Sequence, residues 1–160
     1  ALGWATAVLV MVAVGSTVLF GLAMAKWLKR PADEGLLSGG AVAICGASAA
    51  LAVASVLPQT KANERFTLLM VVGVTVLSTL AMVVYPFELK LAGVSDVLAG
   101  VFLGGTIHDV AQVVAAGTML GPAAVDVASV VKLFRSRFLV PVAVFLSSSL
   151  PNCGARRSAL

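Results

Sequence analysis

The residues most able to do chemistry lie together within one apolar stretch. His108 and Asp109 are adjacent, Thr106 precedes them, and Gln112 follows. Histidine titrates near neutral pH, a carboxylate can carry a proton or bind a cation, and hydroxyl and amide groups can orient a substrate or water. An ionisable group at the centre of a bilayer costs about 2.5–3.5 kcal/mol, so it needs partners. The pair therefore predicts a polar site in a bundle interior or a hydrated cavity.

Three functions are compatible with this group. The favoured one is a proton or ion relay in a secondary transporter, because intramembrane ionisable residues usually serve function. The second is a structural network, in which Asp109 and Gln112 bond across helices and His108 is a satisfied interior histidine. The third, an intramembrane hydrolase or metal site, is the weakest, since the sequence offers neither a serine–base pair nor enough metal ligands. We expect no enzyme, catalytic residue, metal or cofactor.

Two glycine-rich stretches are predicted to position these groups. If residues 94–120 form one helix, Gly100, Gly104, His108 and Gln112 share a face at steps of four residues. On that face, the small residues Gly100 and Gly104 are followed by the polar residues His108 and Gln112.

The other stretch, residues 35–57, has a middle of small residues. Gly39, Gly40 and Gly46 allow either a close backbone approach or an interruption of the helix. We place the interruption, if there is one, at residues 45–48, where protein or a hydrated cavity would satisfy the freed backbone groups. The composition by itself slightly favours a continuous helix packed by its small residues.

The composition of the whole chain indicates a membrane protein. Its 160 residues are 60% apolar and 11% charged, with a mean hydropathy of +1.06, against about 45–50% apolar and 25% charged in soluble domains. A crossing helix needs about 20 residues. Long runs carry no charge, namely residues 1–25, 35–60, 66–87 and 138–155. This composition excludes or strongly disfavours four classes of protein: soluble enzymes, nucleic-acid binders, disulfide-stapled secreted domains and disordered chains.

The fold class predicted is all-α, a polytopic transmembrane helix bundle with about five hydrophobic segments. These segments are residues 2–25, 35–57, 66–86, 94–120 and 123–150, called segments 1 to 5. We expect one membrane domain over 1–150 and a polar tail over 151–160. Lys132, Arg135 and Arg137 most simply lie at the lipid headgroups, where long cationic stems snorkel. Contact of Lys132 or Arg135 with an anionic substrate is the less favoured alternative.

The net charge of +4 comes from basic residues at the ends of segments, a distribution that indicates membrane topology. A nucleic-acid binder would instead cluster its basic residues on one face. If all five segments cross, Lys and Arg divide six against five between the two sides. A re-entrant segment 2 changes the division to eight against three, and a re-entrant segment 4 to seven against four. Because cytoplasmic loops carry an excess of Lys and Arg, the count favours an irregular segment. We expect one or two discontinuous or re-entrant helices, as in transporters with a midplane site.

Four ordered blocks of the sequence resemble the YeiH-like sulfate exporter family. The most specific block is GVFLGGTIHDVAQVVAAG, residues 100–117, and the others are residues 39–50, residues 78–86, and residues 131–135 followed by 139–142. The resemblance implies a multi-pass inner-membrane protein that exports sulfate or a related sulfur oxyanion. It also implies similarity to transporters built from two inverted halves with a discontinuous helix in each. The family motifs give the candidate substrate- or ion-binding residues Cys45, Gly46, Ser48, Thr106, His108, Asp109 and Gln112.

The family resemblance also sets the expected partners. These are the lipid bilayer, a small inorganic or organic anion, a proton or sodium ion for coupling, and a second copy or a missing half. Family members are longer than this chain, which resembles only their later part. A site between two halves needs both, so the alternative function is a truncated, non-transporting scaffold or a half-transporter that needs a second chain.

Overall fold

The computed structural model describes residues 4–141 and 144, without the side chains of residues 6 and 7. That part of the chain is helical and contains no strand. Its helices are α1 (Trp4–Trp27), α2 (Ala32–Ala43), α3 (Ala47–Val56), α4 (Lys61–Leu91), α5 (Asp96–Thr106), α6 (Val110–Thr118) and α7 (Pro122–Ser136). The predicted polar tail, 151–160, lies outside the described residues.

Two of these helices are long and apolar enough to cross a membrane. They are Val8–Trp27, which is most of α1, and the 31-residue α4. The others in the described part have 9 to 15 residues, fewer than the about 20 that one crossing needs. The all-helical prediction is confirmed, and the number of crossings stays a prediction.

Segment 2 is interrupted at residues 44–46, which overlaps the predicted interruption at residues 45–48. α2 ends at Ala43, a turn covers residues 44–46, and α3 begins at Ala47. Gly46 has a φ of +67°, a conformation that glycine adopts without a steric penalty. The alternative of a continuous helix, which the composition slightly favoured, is therefore wrong.

Segment 4 is interrupted as well, between α5 and α6. The predicted single face through Gly100, Gly104, His108 and Gln112 is wrong, because helical spacing does not continue across the interruption. The two glycines pack against α7, whereas the two polar residues bond to α4.

Glycines allow two pairs of helices to pack backbone to backbone. A Cβ added to Gly39 of α2 would lie 3.0 Å from the carbonyl oxygen of Val18 in α1. A Cβ added to Gly100 of α5 would lie 2.8 Å from the carbonyl oxygen of Ala124 in α7. Such small residues let helices approach closely. The chain thus contains a pair α1–α2 and a pair α5–α7, and α4 contacts both interrupted segments.

The helix α4 is longer at both ends than the predicted segment, residues 66–86. It starts after Thr60, whose hydroxyl accepts a hydrogen bond from the backbone N–H of Asn63 at 3.2 Å. At its other end the helix passes through Pro86, which is buried, and ends at Leu91. An apolar run marks the lipid-compatible length of a helix and not its hydrogen-bonded ends.

Candidate functional site

A cavity of about 290 Å³ lies where the two interruptions meet α4. Its walls come from the first interruption and α3, from the middle of α4, and from the second interruption and α6. The lining residues are Cys45, Ala47, Ser48, Leu51, Val74, Thr75, Ser78, His108, Asp109 and Gln112. The structure therefore brings together most of the candidate binding residues, from positions far apart in the sequence.

The two interruptions are in direct contact. A Cβ added to Gly46 would lie 2.9 Å from the Cβ of His108, closer than real Cβ contacts come. Glycine is therefore required at position 46 for two reasons, since its φ is positive and the neighbouring segment leaves no room for a side chain.

The first turn of α3 faces the cavity with little side-chain capping. Gly46 is the N-cap and offers no side-chain acceptor. The hydroxyl of Ser48 donates to Cys45, either to the thiol sulfur at 2.9 Å or to the carbonyl oxygen at 3.3 Å. The first N–H groups of a helix have no partner within the helix, and they carry its positive dipole end.

The first turn of α6 is capped by an acidic side chain. Oδ1 of Asp109 accepts hydrogen bonds from the backbone N–H of Ala111 at 2.7 Å and of Gln112 at 3.3 Å. A carboxylate in this position satisfies two free donors and offsets the positive helix end. The N-terminal end of α6 thus already has an anionic partner within the chain.

Two hydroxyls of α4 hold the second interruption in place. The backbone N–H of His108 donates to Oγ of Ser78 at 3.1 Å, and Nε2 of Gln112 donates to Oγ1 of Thr79 at 2.9 Å. Ser78 is 1% exposed, so the first of these bonds is made in the interior. These contacts fix the turn and the start of α6 against the long helix.

Three buried side-chain atoms at the cavity have no hydrogen-bond partner within the described part of the chain. They are Nδ1 and Nε2 of His108 and Oε1 of Gln112. Buried polar atoms in folded proteins nearly always have a partner. An imidazole and an amide oxygen that line a cavity can bind a polar solute.

The cations of α7 are not at the lipid headgroups, and this corrects the sequence analysis. Lys132 is fully buried, and its Nζ donates to the carbonyl oxygen of Ile44 at 3.1 Å. Arg135 is 7% exposed. Its guanidinium donates to the carbonyl oxygens of Val42, Ala43 and Gly105, with a distance of 2.6 Å to Ala43. Both cations therefore bond to the carbonyl ends of interrupted helices.

Thr106 is a candidate that the structure does not place at the cavity. Its hydroxyl donates to the carbonyl oxygen of Phe102 in its own helix at 2.7 Å. Three hydroxyls of segment 3 are not among the predicted candidates, yet Thr75 and Ser78 line the cavity and Thr79 bonds to Gln112. The i, i+3, i+4 spacing of these three hydroxyls, which puts them on one helix face, was the available signal.

No group of three or more His, Cys, Asp or Glu side chains is placed to hold a metal ion within the described ranges. The titratable groups lining the cavity are Cys45, His108 and Asp109.

Comparison with known proteins identifies a family of membrane proteins. A family model described as conserved hypothetical protein 698 matches residues 1–158. The chain is 51% identical over 146 residues to the UPF0324 membrane protein CT0845 of Chlorobaculum tepidum, covering 91% of this chain and 41% of that relative. It is 48% identical over 157 residues to the UPF0324 membrane protein RB0971 of Rhizobium meliloti, covering 96% and 46%.

Another relative is the UPF0324 membrane protein TauZ of Paracoccus pantotrophus, at 49% identity over 150 residues, with 94% of this chain and 44% of the relative covered. The chain thus spans less than half the length of these curated relatives. No solved structure matches it. The family resemblance derived from the sequence is confirmed.

Proposed function

Because the chain belongs to the conserved hypothetical protein 698 family, we propose that it is part of a membrane transporter. The proposed activity is secondary active export of a small anion, such as sulfate or a related sulfur oxyanion. The cavity at the two helix interruptions is the proposed binding site. The observation that carries the proposal is that two interruptions, far apart in the chain, meet at one cavity whose lining includes His108, Asp109 and Gln112.

The helix ends around the cavity favour an anion as the ligand. The first turn of α3 lines the cavity with Ala47 and Ser48, and no acidic side chain caps it. Transporters of several folds bind anionic groups at half-helix N-termini of this kind. The hydroxyl of Ser48 and the imidazole of His108 supply further polar contacts beside this helix end.

The buried charges support the same choice of ligand. Lys132 and Arg135 lie behind the interruptions, and Asp109 is the carboxylate that lines the cavity. The guanidinium of Arg135 bonds to the carbonyl ends at both interruptions, and a positive charge beside a cavity favours anions.

His108 and Asp109 are the proposed coupling residues. Both imidazole nitrogens of His108 are buried at the cavity without a partner in the described part of the chain, so they are available to the transported solute or its coupling ion. Asp109 can exchange its backbone hydrogen bonds for a proton or a sodium ion, and this exchange would weaken the cap of α6. Ion binding and the position of α6 would then be linked.

The proposed location is a bacterial inner membrane, with several crossings. α1 and α4 supply helices of sufficient length. Since the chain spans less than half the length of its relatives, we propose that the complete site includes a second half or a second copy of the chain.

The alternative function is a membrane scaffold that does not transport. The internal hydrogen bonds of Asp109 and Gln112 favour it, because a purely structural network would satisfy these side chains in the same way. The scaffold alternative predicts that substitutions at the cavity change stability alone.

Radiolabelled sulfate flux into proteoliposomes separates the two functions. The chain is compared with its His108→Ala and Asp109→Asn variants and with empty vesicles. We expect flux above the empty-vesicle level for the parent chain and a loss of at least about tenfold in each variant, as for residues that contact a transported ion. Equal flux from all four preparations would overturn the transport function for this chain.

A pair of serines on α3 provides a matched control. Ser48 lines the cavity, whereas Ser55 lies two turns away from it. Both serines are exposed, and each hydroxyl can donate to the carbonyl three residues before it. We expect Ser48→Ala to reduce the flux and Ser55→Ala to leave it unchanged. An equal effect of the two substitutions would place the transport path elsewhere.

A further inference from the structure

The two buried cations of α7 connect the interrupted segments to each other. We propose that Arg135, assisted by Lys132, is a positioning residue that fixes the register between segment 2 and segment 4 and so sets the shape of the cavity. The inference about register stands on contacts alone, and its relevance to transport rests on the proposed function.

The two interruptions leave carbonyl groups at helix ends without partners in their own helices. The last four carbonyls of a helix have no partner within the helix, and a lipid environment offers none. α2 ends at Ala43 and α5 ends at Thr106. The guanidinium of Arg135 donates to Val42, Ala43 and Gly105, so one side chain bonds to carbonyls at the ends of both helices.

Lys132 extends the same connection by one residue along segment 2. It lies one helical turn before Arg135 on α7, and its ammonium donates to the carbonyl of Ile44 in the turn. Cations next to carbonyl helix ends are also favoured by the helix dipole.

Neither cation is arranged to bind the transported solute directly. Arg135 and Lys132 do not line the cavity, and Lys132 is fully buried. Their effect on the cavity must therefore pass through the backbone of the two turns that they hold.

The apolar contacts in this region are less directional than the hydrogen bonds of Arg135. One cluster of buried residues joins α1, segment 2 and α7 through Val10, Val14, Ala43, Ile44, Ala49 and Val131. Hydrophobic contact is non-directional, whereas the guanidinium bonds to particular carbonyls of segment 2. Because α7 also packs against α5, the same side chain links segment 2 to segment 4.

The planar shape of the guanidinium explains why this position needs arginine. Arginine presents five donors in a rigid fork, whereas the three donors of lysine diverge from one nitrogen. A lysine at position 135 keeps the charge and can bond to one helix end. It cannot reach both ends at once. Arg135→Lys therefore separates the effect of the charge from the effect of bonding to both helix ends.

Distances between spin labels test this directly. A background with Cys45→Ala and Cys153→Ser receives one label pair across the segments, at Ser55→Cys in α3 and Thr118→Cys in α6. A second pair, Val97→Cys in α5 and Val130→Cys in α7, reports on packing within one pair of helices. The four labelled positions are exposed. Each pair is measured in the full chain, in lipid nanodiscs.

We expect Arg135→Met to broaden the distance distribution across the segments by about twofold or more, because local opening follows loss of the bonds that close it. The α5–α7 distribution should be unchanged. Arg135→Lys should give an intermediate broadening, and Arg137→Met, at an exposed neighbouring cation, none.

The proposal is overturned if Arg135→Met leaves the distribution across the segments unchanged. It is also overturned if both label pairs broaden together in Arg135→Met and in Arg135→Lys, since Arg135 would then be a general stabiliser. The absence of sulfate flux from the parent chain would contradict the proposed function and would leave this distance measurement intact.

Discussion

The two interruptions meet at one cavity, yet different interactions produce them. The first depends on the backbone of Gly46, which has a positive φ and no space for a side chain. The second contains no residue with a positive φ, and side chains hold it: Asp109 caps α6, and Ser78 and Thr79 bind from α4. Their carbonyl ends are alike, since Arg135 of α7 bonds to both.

This difference separates two ways of interrupting a helix inside a bundle. A turn that depends on one glycine has no redundancy, so a single methyl group disturbs it. A turn held by several hydrogen bonds loses only one or two of them when a single side chain is substituted, and the others remain. The difference also leaves one helix start, that of α3, without an anionic cap, and this is where we propose that the ligand binds.

The largest effect is expected at the glycine turn. Gly46→Ala should lower the free energy of unfolding by about 3 kcal/mol, because an L-residue is strained at a φ of +67° with a ψ of −120° and the added methyl group is forced against His108. SDS titration in micelles, followed by circular dichroism, measures the change.

A second glycine provides the control for this substitution. Gly93 also has a positive φ, at 63°, but a Cβ there would meet no atom within 4 Å. Gly93→Ala should cost about 1 kcal/mol, which is the backbone contribution alone. If the two substitutions cost the same, contact between the interruptions has no energetic role.

The next largest effect is expected at the buried hydroxyl of α4. Ser78→Ala removes the acceptor for the N–H of His108 and should cost about 2 kcal/mol, because a donor is left unsatisfied in the interior. The same titration measures it. Ser55→Ala, at an exposed serine, should stay within about 0.5 kcal/mol of the parent chain. A cost at Ser78 no larger than that at Ser55 would show that α4 does not hold this turn.

A smaller effect is expected at the cap of α6. Asp109→Ala should cost about 1 kcal/mol through loss of the N-cap, and Asp109→Asn should retain most of the stability, since asparagine caps helices equally well. Unfolding titrations of both variants, together with the flux assay, distinguish capping from coupling. Normal stability with lost flux in Asp109→Asn would assign the charge to transport, and normal flux would limit Asp109 to a structural role.

The smallest effect is expected at the exposed bond between α4 and α6. Thr79→Val should cost about 0.5 kcal/mol, at the lower limit for a net hydrogen bond. Thr118→Val is the comparison, because the hydroxyl of Thr118 bonds only within its own helix region, to the carbonyl of Ala115. Equal unfolding free energies for the two variants would remove Thr79 from the set of residues that hold the second interruption.

Much of segment 2 could be predicted from the sequence. Small residues and a glycine at position 46 indicated either close packing or an interruption, and the structure contains both, with Gly39 at the packed contact and Gly46 at the turn. Composition could not choose between them, because the deciding contact is with His108 in another segment.

The interruption of segment 4 was harder to locate because its pattern is regular. Residues 100, 104, 108 and 112 fit a continuous helix, and the spacing hides the turn. The available signal was Asp109 followed three residues later by Gln112, the pattern of a helix start. The sequence left a re-entrant segment 4 open as an alternative, but Asp109 and Gln112 were interpreted as intramembrane chemistry and not as a helix start.

The sequence by itself determined the helical class, the apolar environment and the family. Hydropathy and the order of motifs depend on the order of residues along the chain and not on contacts between distant segments. Only the tertiary structure decided the role of Lys132 and Arg135. Their carbonyl partners in segment 2 lie 88 to 93 residues away. Whether a cation extends to the headgroups or stays buried depends on such partners, since burial without them is too costly.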